Sequence, residues 1–291
     1  MMFRTRGEKL FDGINIVLLA LIGVLMLFPF LYIFSVSFST LQDFLRSEIL
    51  LWPSTWSTDA YEYILESKAF LRSLGVTAYV TVIGTLVNLL FTATMAYALA
   101  RGIMGQRFFL FMVLFAMLFN AGMIPTYLIV KETHLLNTLW ALILPVAIGP
   151  FNLLVIRSFF LSIPNELHEA AKIDGANDLK IFASIILPLS KPALAAFGLF
   201  YAVTHWNSYF SAILYINDPR MWTVQVILRQ IVIVAEPTAA LGTNEMLLEN
   251  PPPPVTIQMA AILLATVPIL IVYPFLQKHF AKGVMLGSVK G

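Results

Sequence analysis

The sequence predicts an all-α integral membrane protein of six transmembrane helices, with both termini cytoplasmic, in a single domain over residues 1–291. Three observations predict it. Of 291 residues, 59% are apolar and only 12% are charged, where a soluble chain carries roughly a quarter charged residues. Six stretches, 13–39, 73–100, 108–130, 135–156, 192–216 and 255–277, contain no Asp, Glu, Lys or Arg. Each is long enough to carry the about 20 helical residues that cross a hydrocarbon core. The charges between them, finally, are sorted by sign from one connection to the next.

In chain order, Arg4, Arg6 and Lys9 precede the first span in the manner of a signal peptide. The run is too long for one, and Pro29-Phe30-Leu31-Tyr32 continues apolar where a small-residue cleavage site would sit, so it is kept as helix one. An outer segment, 40–72, carries Trp52 and Trp56 as interfacial aromatics and a short helix over 58–67. Spans two to four follow with short connections, then a charged cytoplasmic segment over 163–188, span five, and a second outer segment over 217–254. That segment ends in Pro251-Pro252-Pro253-Pro254, a polyproline-like strut leading into span six. Interior prolines at 29, 125, 145, 150, 268 and 274 predict kinks, because neighbouring helices can satisfy the carbonyls they free.

Orientation follows from the charges. The side holding both termini has Arg4, Arg6, Lys9, Arg101, Arg107, Arg157, Lys172, Lys180, Lys191, Lys278, Lys282 and Lys290, twelve of the 18 bases, against six of the 16 acids. That side is cytoplasmic.

The inventory of reactive groups excludes much. With no cysteine there is no disulfide, thiolate metal site or Cys nucleophile. Histidines at 134, 168, 205 and 279 are too scattered for a zinc pair on one helical turn, and no metal or cofactor is expected on this chain. A net charge of +2 argues against a nucleic-acid partner. No Gly-rich loop ending in Gly-Lys-Ser/Thr occurs, so the chain has no cradle for nucleotide phosphates. The spans hold no nucleophile–base pair, which disfavours a membrane-embedded enzyme.

The one ionisable side chain within a span is His205, in Thr204-His205-Trp206-Asn207-Ser208-Tyr209. Polar groups in hydrocarbon point inward, to water or to a partner. Two readings stay open: His205, Asn207 and Tyr209 line a translocation path for a polar solute, or they hydrogen-bond between helices. Residues 205 and 209 share a helical face, as an i, i+4 pair.

In the cytoplasmic segment, Pro164 suits a helix's first turn and Gly175 the left-handed position that ends one. The resulting helix of about ten residues spans about 15 Å, too short to cross a bilayer. Leu167, Ala170 and Ala171 fall on one narrow face with room for close approach. A second helical stretch, capped by Asn177 and ended before Pro188, leads to Pro192 and span five. The residues alone allow a docking knob for a soluble partner or a surface helix-turn-helix lying on the membrane.

Glu169-Ala170-Ala171, Gly175, Ile185 and Leu187-Pro188 match in spacing the EAA signature of bacterial binding-protein-dependent ABC importer permeases. Pro125-Thr126-Tyr127, Leu136-Asn137-Thr138 and Leu142-Ile143-Leu144-Pro145 look like the third and fourth helices of the carbohydrate-importing subfamily. Trp206-Asn207 and the ending from Lys282 to Gly291 are similar to its smaller permease subunit, and the tail resembles the branch of lipo-oligosaccharide and alginate-type importers. Where many sugar permeases follow Trp-Asn with an acidic residue, this chain has Ser208.

The resemblance covers the whole chain and implies a type I importer permease with a MetI-like fold in the bacterial cytoplasmic membrane. It implies a second, related permease subunit, two ATPase subunits carrying ATP and Mg, an outer solute-binding protein and an oligosaccharide substrate. It also implies an ATPase-coupling set: Glu169 pairs with a basic group of the ATPase, Ala170 and Ala171 permit close packing, and Gly175 holds the turn. Asp174, Ile185, Leu187 and Pro188 complete that set, and Lys282, Gly283 and Lys290 belong to an ATPase-facing tail. The outer segment 217–254 would then probe the binding protein. The rival reading is a self-sufficient six-helix carrier or channel that needs no ATP.

Overall fold

The computed structural model describes residues 6–46, 49–233, 240–242 and 252–288. Among them the regular structure is helical, with no strand beyond an isolated bridge between Ser39 and Trp56. In order come α1 (Arg6–Ser37), α2 (Leu41–Arg46), α3 (Asp59–Glu66), α4 (Lys68–Ala100), α5 (Gln106–Leu118) and α6 (Met123–Glu132). Two 3₁₀ turns (Leu139–Leu142 and Leu144–Val146), α7 (Pro150–Leu161), α8 (Asn165–Ile173) and α9 (Asp178–Ile181) follow. A π-helical turn (Phe182–Ile186) leads into α10 (Leu187–Leu189), α11 (Lys191–Trp206) and α12 (Phe210–Tyr215). A 3₁₀ turn (Pro219–Met221), α13 (Val224–Val232) and α14 (Pro254–Ser288) complete the order.

Three of the six expected spans are single long helices, α1, α4 and α14. The other three are interrupted where turn-forming residues sit inside apolar runs. The run 108–130 breaks after Leu118: Asn120 Oδ1 accepts from Gly122 N at 2.9 Å, and Gly122, at φ 86°, opens α6. The run 135–156 begins with His134 and Asn137, both at φ 57°, passes through the 3₁₀ turns, and bends by 53° into α7, with Pro150 in its first turn. The run 192–216 stops at Trp206 and resumes at Phe210. By length and apolarity, three described helices can cross a membrane, or up to five crossings form when each bent pair counts as one.

Contacts divide the chain into two units. In the first, Met1–Phe70 with Leu228–Thr266, most of α1 presents bare Leu, Ile, Val and Phe side chains, as a lipid-facing helix does. Its C-terminal end is capped by aromatic packing: Tyr61 stacks on Phe38 at 4.6 Å, and its hydroxyl lies 2.7 Å from Ser37 Oγ. Asp43 accepts from Thr55 N at 2.8 Å, Ser67 Oγ donates to Leu241 O at 2.7 Å, and Trp52 and Trp56 stay exposed. The helix expected over 58–67 is α3, with Thr58 at its cap. The strut expected at 251–254 is shorter, because Pro254 already starts α14; Pro251 lies outside the described residues.

The second unit, Leu71–Ile227 with Val267–Gly291, has two apolar clusters along α4. Ala96, Leu99, Leu153, Ile156, Ile181 and Phe197 belong to one, at the C-terminal half of α4. Val80, Val130, Ile143, Ala212, Ile216 and Val226 belong to the other, at its N-terminal half. Between them α4 turns a polar stripe inward. Asn88 Nδ2 donates to Val146 O at 3.0 Å, and Thr92 Oγ1 lies 2.8 Å from the Tyr201 hydroxyl, which accepts from Gly149 N at 3.1 Å. These contacts supply partners for the broken backbone around 146–149, as irregular chain at membrane depth requires.

Candidate functional site

Local chemistry builds the segment over 163–188. Pro164, extended at ψ 133°, stands one residue ahead of α8, at its cap. At the far end Gly175 takes φ 79°. Ala176 N donates to Ala171 O at 2.9 Å and Gly175 N to Lys172 O at 3.0 Å, the paired bonds of a Schellman ending. Asn177 then caps α9, its Oδ1 accepting from Lys180 N at 2.8 Å. The expected stop before Pro188 is not observed. The helix widens into the π-helical turn and carries Pro188 inside α10, a known way of absorbing a residue that lacks an N–H. From Leu189 to Lys191 the chain bends, so that Asp178–Leu189 and Lys191–Trp206 meet at 82°.

The segment is pinned from behind. Ala171, Ile181, Phe182 and Ile186 are buried in the cluster that holds Leu153, Ile156 and Phe160, and Tyr97 packs against Phe182 at 4.9 Å. His168 is buried too, with Nε2 3.5 Å from Asp178 Oδ1; Lys172 Nζ lies 3.7 Å from the same oxygen. Burial holds the His168 imidazole below its usual pKa, and the nearby Arg101 and Lys172 push the same way, outweighing Asp178.

The face turned outward is therefore not the one expected. Ala171 points into the protein, whereas Leu167 and Ala170 are exposed. The buried side is set by His168 and Ala171, three residues apart, so Ala171 sits at the edge of the narrow face where that face meets the protein. Glu169, Asp174 and Gly175 are exposed, Ile185 and Leu187 half-buried, and Pro188 exposed. Ile173 is 86% exposed and Leu179 74%, large apolar side chains on a charged surface.

The second set of expected residues separates. His205 is 2% exposed, packed where α11 meets α4 at Gly84. Asn207 ends α11, its Nδ2 donating to Val203 O at 2.9 Å, and is exposed; Tyr209 is half-buried against the cluster around Ile143 and Ile216. The break at 207–209 removes the helical register that would put residues 205 and 209 on one face. A groove of about 480 Å³ runs between α4, α11 and α14, bounded by Leu86, Gly198, Trp206 and Pro268. Sequence reading missed Asn88, Thr92 and Tyr201. Their signal was the recurrence of Thr77, Thr81, Asn88 and Thr92 along one face of an apolar helix. Lys282 and Gly283 fall within α14, whose side chains there are not described, and Lys290 lies outside the described residues.

Comparison with known proteins fits this geometry. Residues 93–286 match the model of the family described as binding-protein-dependent transport system inner membrane component. The chain is 51% identical to Protein LplC of Bacillus subtilis, over 100% of this chain and 98% of that protein. It is 50% identical to the polygalacturonan/rhamnogalacturonan transport system permease protein YtcP of the same organism, over 98% and 99%. A chain in the crystal structure of a bacterial ABC transporter involved in import of the acidic polysaccharide alginate superposes with a TM-score of 0.89 at 35% identity, covering 96% of this chain and all of that one. With its all-helical, MetI-like permease fold, the chain belongs to the family of binding-protein-dependent transport system inner membrane components, and it is a multi-pass transport component of the cytoplasmic membrane rather than an enzyme.

Proposed function

We propose that this chain is one permease subunit of an ATP-driven importer for an oligosaccharide, and that residues 163–188 couple it to an ATPase. Membership in a binding-protein-dependent family supports an outer solute-binding protein and ATPase partners, and argues against a self-sufficient carrier. The names of relatives support the substrate class: YtcP is named for polygalacturonan and rhamnogalacturonan, AraQ for arabinooligosaccharides. In this reading a second, related permease completes the pathway, two ATPase subunits hold ATP and Mg, and both termini lie in the cytosol after six crossings. The tail residues Lys282, Gly283 and Lys290 face the ATPase.

The observation that carries the coupling role is the two-sided build of α8. Its inner side is locked to the spans through His168 and Ala171, while Glu169, Ala170 and Ile173 are bare. A short helix so anchored moves as a rigid body with the helices behind it. Glu169 offers a carboxylate to a basic group, and Ala170 lets a partner's backbone come close. Of His205, Asn207 and Tyr209, Asn207, at the exposed break, is the one placed to reach solute hydroxyls, with His205 packed behind it and Tyr209 beside it.

Gly175→Val tests the coupling role, since a β-branched residue at φ 79° is strained whatever the space around it. In the importer purified from its native membrane, solute-stimulated ATP hydrolysis should drop by about tenfold, on the order of a 1–2 kcal/mol strained turn. Affinity for the binding protein should stay unchanged. Unaltered stimulation would remove the segment from the coupling route.

A further inference from the structure

A run of buried polar atoms lies where α4 and α11 approach most closely. His205 is 98% buried, and a Cβ built on Gly84 would stand 2.6 Å from its Nε2, so the imidazole edge rests directly on the α4 backbone. Nε2 meets no hydrogen-bond partner among the described residues. Thr81 Oγ1, Thr85 Oγ1 and Asn88 Oδ1 are likewise buried and unpartnered. Positions 81 and 88 flank Gly84 by one helical turn on the same face, and Thr85 is its neighbour. Above and below, the stripe is satisfied: Thr77 Oγ1 accepts from Val224 N at 2.8 Å and Thr92 pairs with Tyr201.

A buried polar atom left unpaired costs free energy, so a cluster of four disfavours dry packing. Neighbouring side chains one turn apart stand about 5–6 Å from each other. A water hydrogen-bonded to both spans up to about 5.6 Å, twice an ordinary bond length. Thr81 and Thr85 also border the 480 Å³ groove.

We propose that the seam between α4 and α11 is a binding site for ordered water, held by His205 Nε2, Thr81 Oγ1, Thr85 Oγ1 and Asn88 Oδ1. Gly84 is the residue that makes it, because any side chain there would push the imidazole away. Water can exchange partners as the two helices slide, where interlocked apolar side chains would have to climb over one another. The site is thus a low-friction contact between α4 and the helix that leaves the cytoplasmic segment.

Radiolytic hydroxyl-radical labelling of the intact importer in lipid nanodiscs tests this, because radicals born from a bound water mark the side chain beside it. His205 should be oxidised within about tenfold of the rate at exposed His134, as contact with bound water requires despite its burial. The double variant Thr81→Val, Thr85→Val keeps shape and removes both hydroxyls. It should cut His205 labelling by at least about fivefold and lower the melting temperature, since the water loses half its partners. His205 labelled no faster than a dry apolar core residue overturns the proposal. So does a double variant with unchanged labelling, or one melting above the parent, as removal of two unpaired hydroxyls from a dry seam would give. The first measurement needs no substitution and stands even if the variant fails to assemble.

Discussion

The segment over 163–188 and the α4–α11 seam use similar residues in opposite ways. Around α8, Glu166, Glu169 and Lys172 face out together with Leu167 and Ile173, and His168 and Ala171 are bolted down; Glu169 is open to another chain while Ala171 is not. In the seam, threonines, Asn88 and His205 are turned in, and Leu, Val and Phe side chains face out. Glycine shows the contrast in miniature. Gly175 is required by its backbone angle and has nothing within 4 Å of a would-be Cβ, whereas Gly84 has ordinary helical angles and is required by what it touches. One position fixes the course of an exposed turn; the other fixes how closely two buried helices approach.

The sharpest way to break that comparison is to place the same residue at both glycines. Gly84→Val should destabilise the permease by roughly 1–3 kcal/mol or more, the cost of overpacking a full interior site. It would appear as loss of assembled importer from the membrane, while Gly175→Val, whose cost of about 1–2 kcal/mol is local backbone strain in an exposed turn, leaves the importer assembled. Equal loss of assembled importer in the two variants would erase the distinction.

A smaller effect is expected where the seam's stripe is satisfied. Tyr201→Phe leaves Gly149 N and Thr92 Oγ1 without their partner, a loss of about 1–2 kcal/mol. Combined with Thr92→Val in a double-mutant cycle, it should show positive coupling of at least about 0.5 kcal/mol. Additive losses would mean that the pair acts separately.

The smallest effect belongs to the cytoplasmic side. Because His168 is held below its usual pKa when folded, the opened segment binds more protons between that lowered value and about pH 6.5. Local stability is therefore full above about pH 6.5 and declines as pH falls through that window. Hydrogen exchange of α8 amides should quicken as pH falls below about 6.5, beyond the intrinsic rate change, and His168→Gln should abolish the excess. An excess that survives the substitution would assign it elsewhere.

The helix-turn-helix over 163–188 was largely legible from sequence, because its punctuation is local: Pro164, Gly175 and Asn177 act within a few residues of themselves. Which side of α8 faces out was not, since periodicity identifies a face without saying what lies against it. The long spans α1, α4 and α14 were legible for their unbroken apolarity. The breaks at 119–122, 137–149 and 207–209 were not, because apolar composition reports immersion rather than helicity, and distant partners such as Tyr201 and Asn88 allow the backbone to stray. The polar stripe of α4 was present in the spacing of its threonines. It stayed hidden because threonine is also an ordinary passenger in lipid-embedded helices, where its hydroxyl bonds back to its own turn, as Thr94 does to Leu90 O at 2.7 Å.

The 82° elbow at Ser190 has a mechanical corollary. Ser190 is buried, its N–H held by Ile186 O at 3.0 Å, while its own carbonyl takes Leu194 N at 2.9 Å, so the joint is stiff and the two arms turn together. With 16 residues, α11 is a lever of about 24 Å. A 5° rotation imposed at its foot would carry its far tip through about 2 Å, the scale of helix shifts that switch interfaces. Under the coupling role proposed above, a nudge too small to alter the fold at the foot of α11 would become a displacement of the width of a helix shift at its tip.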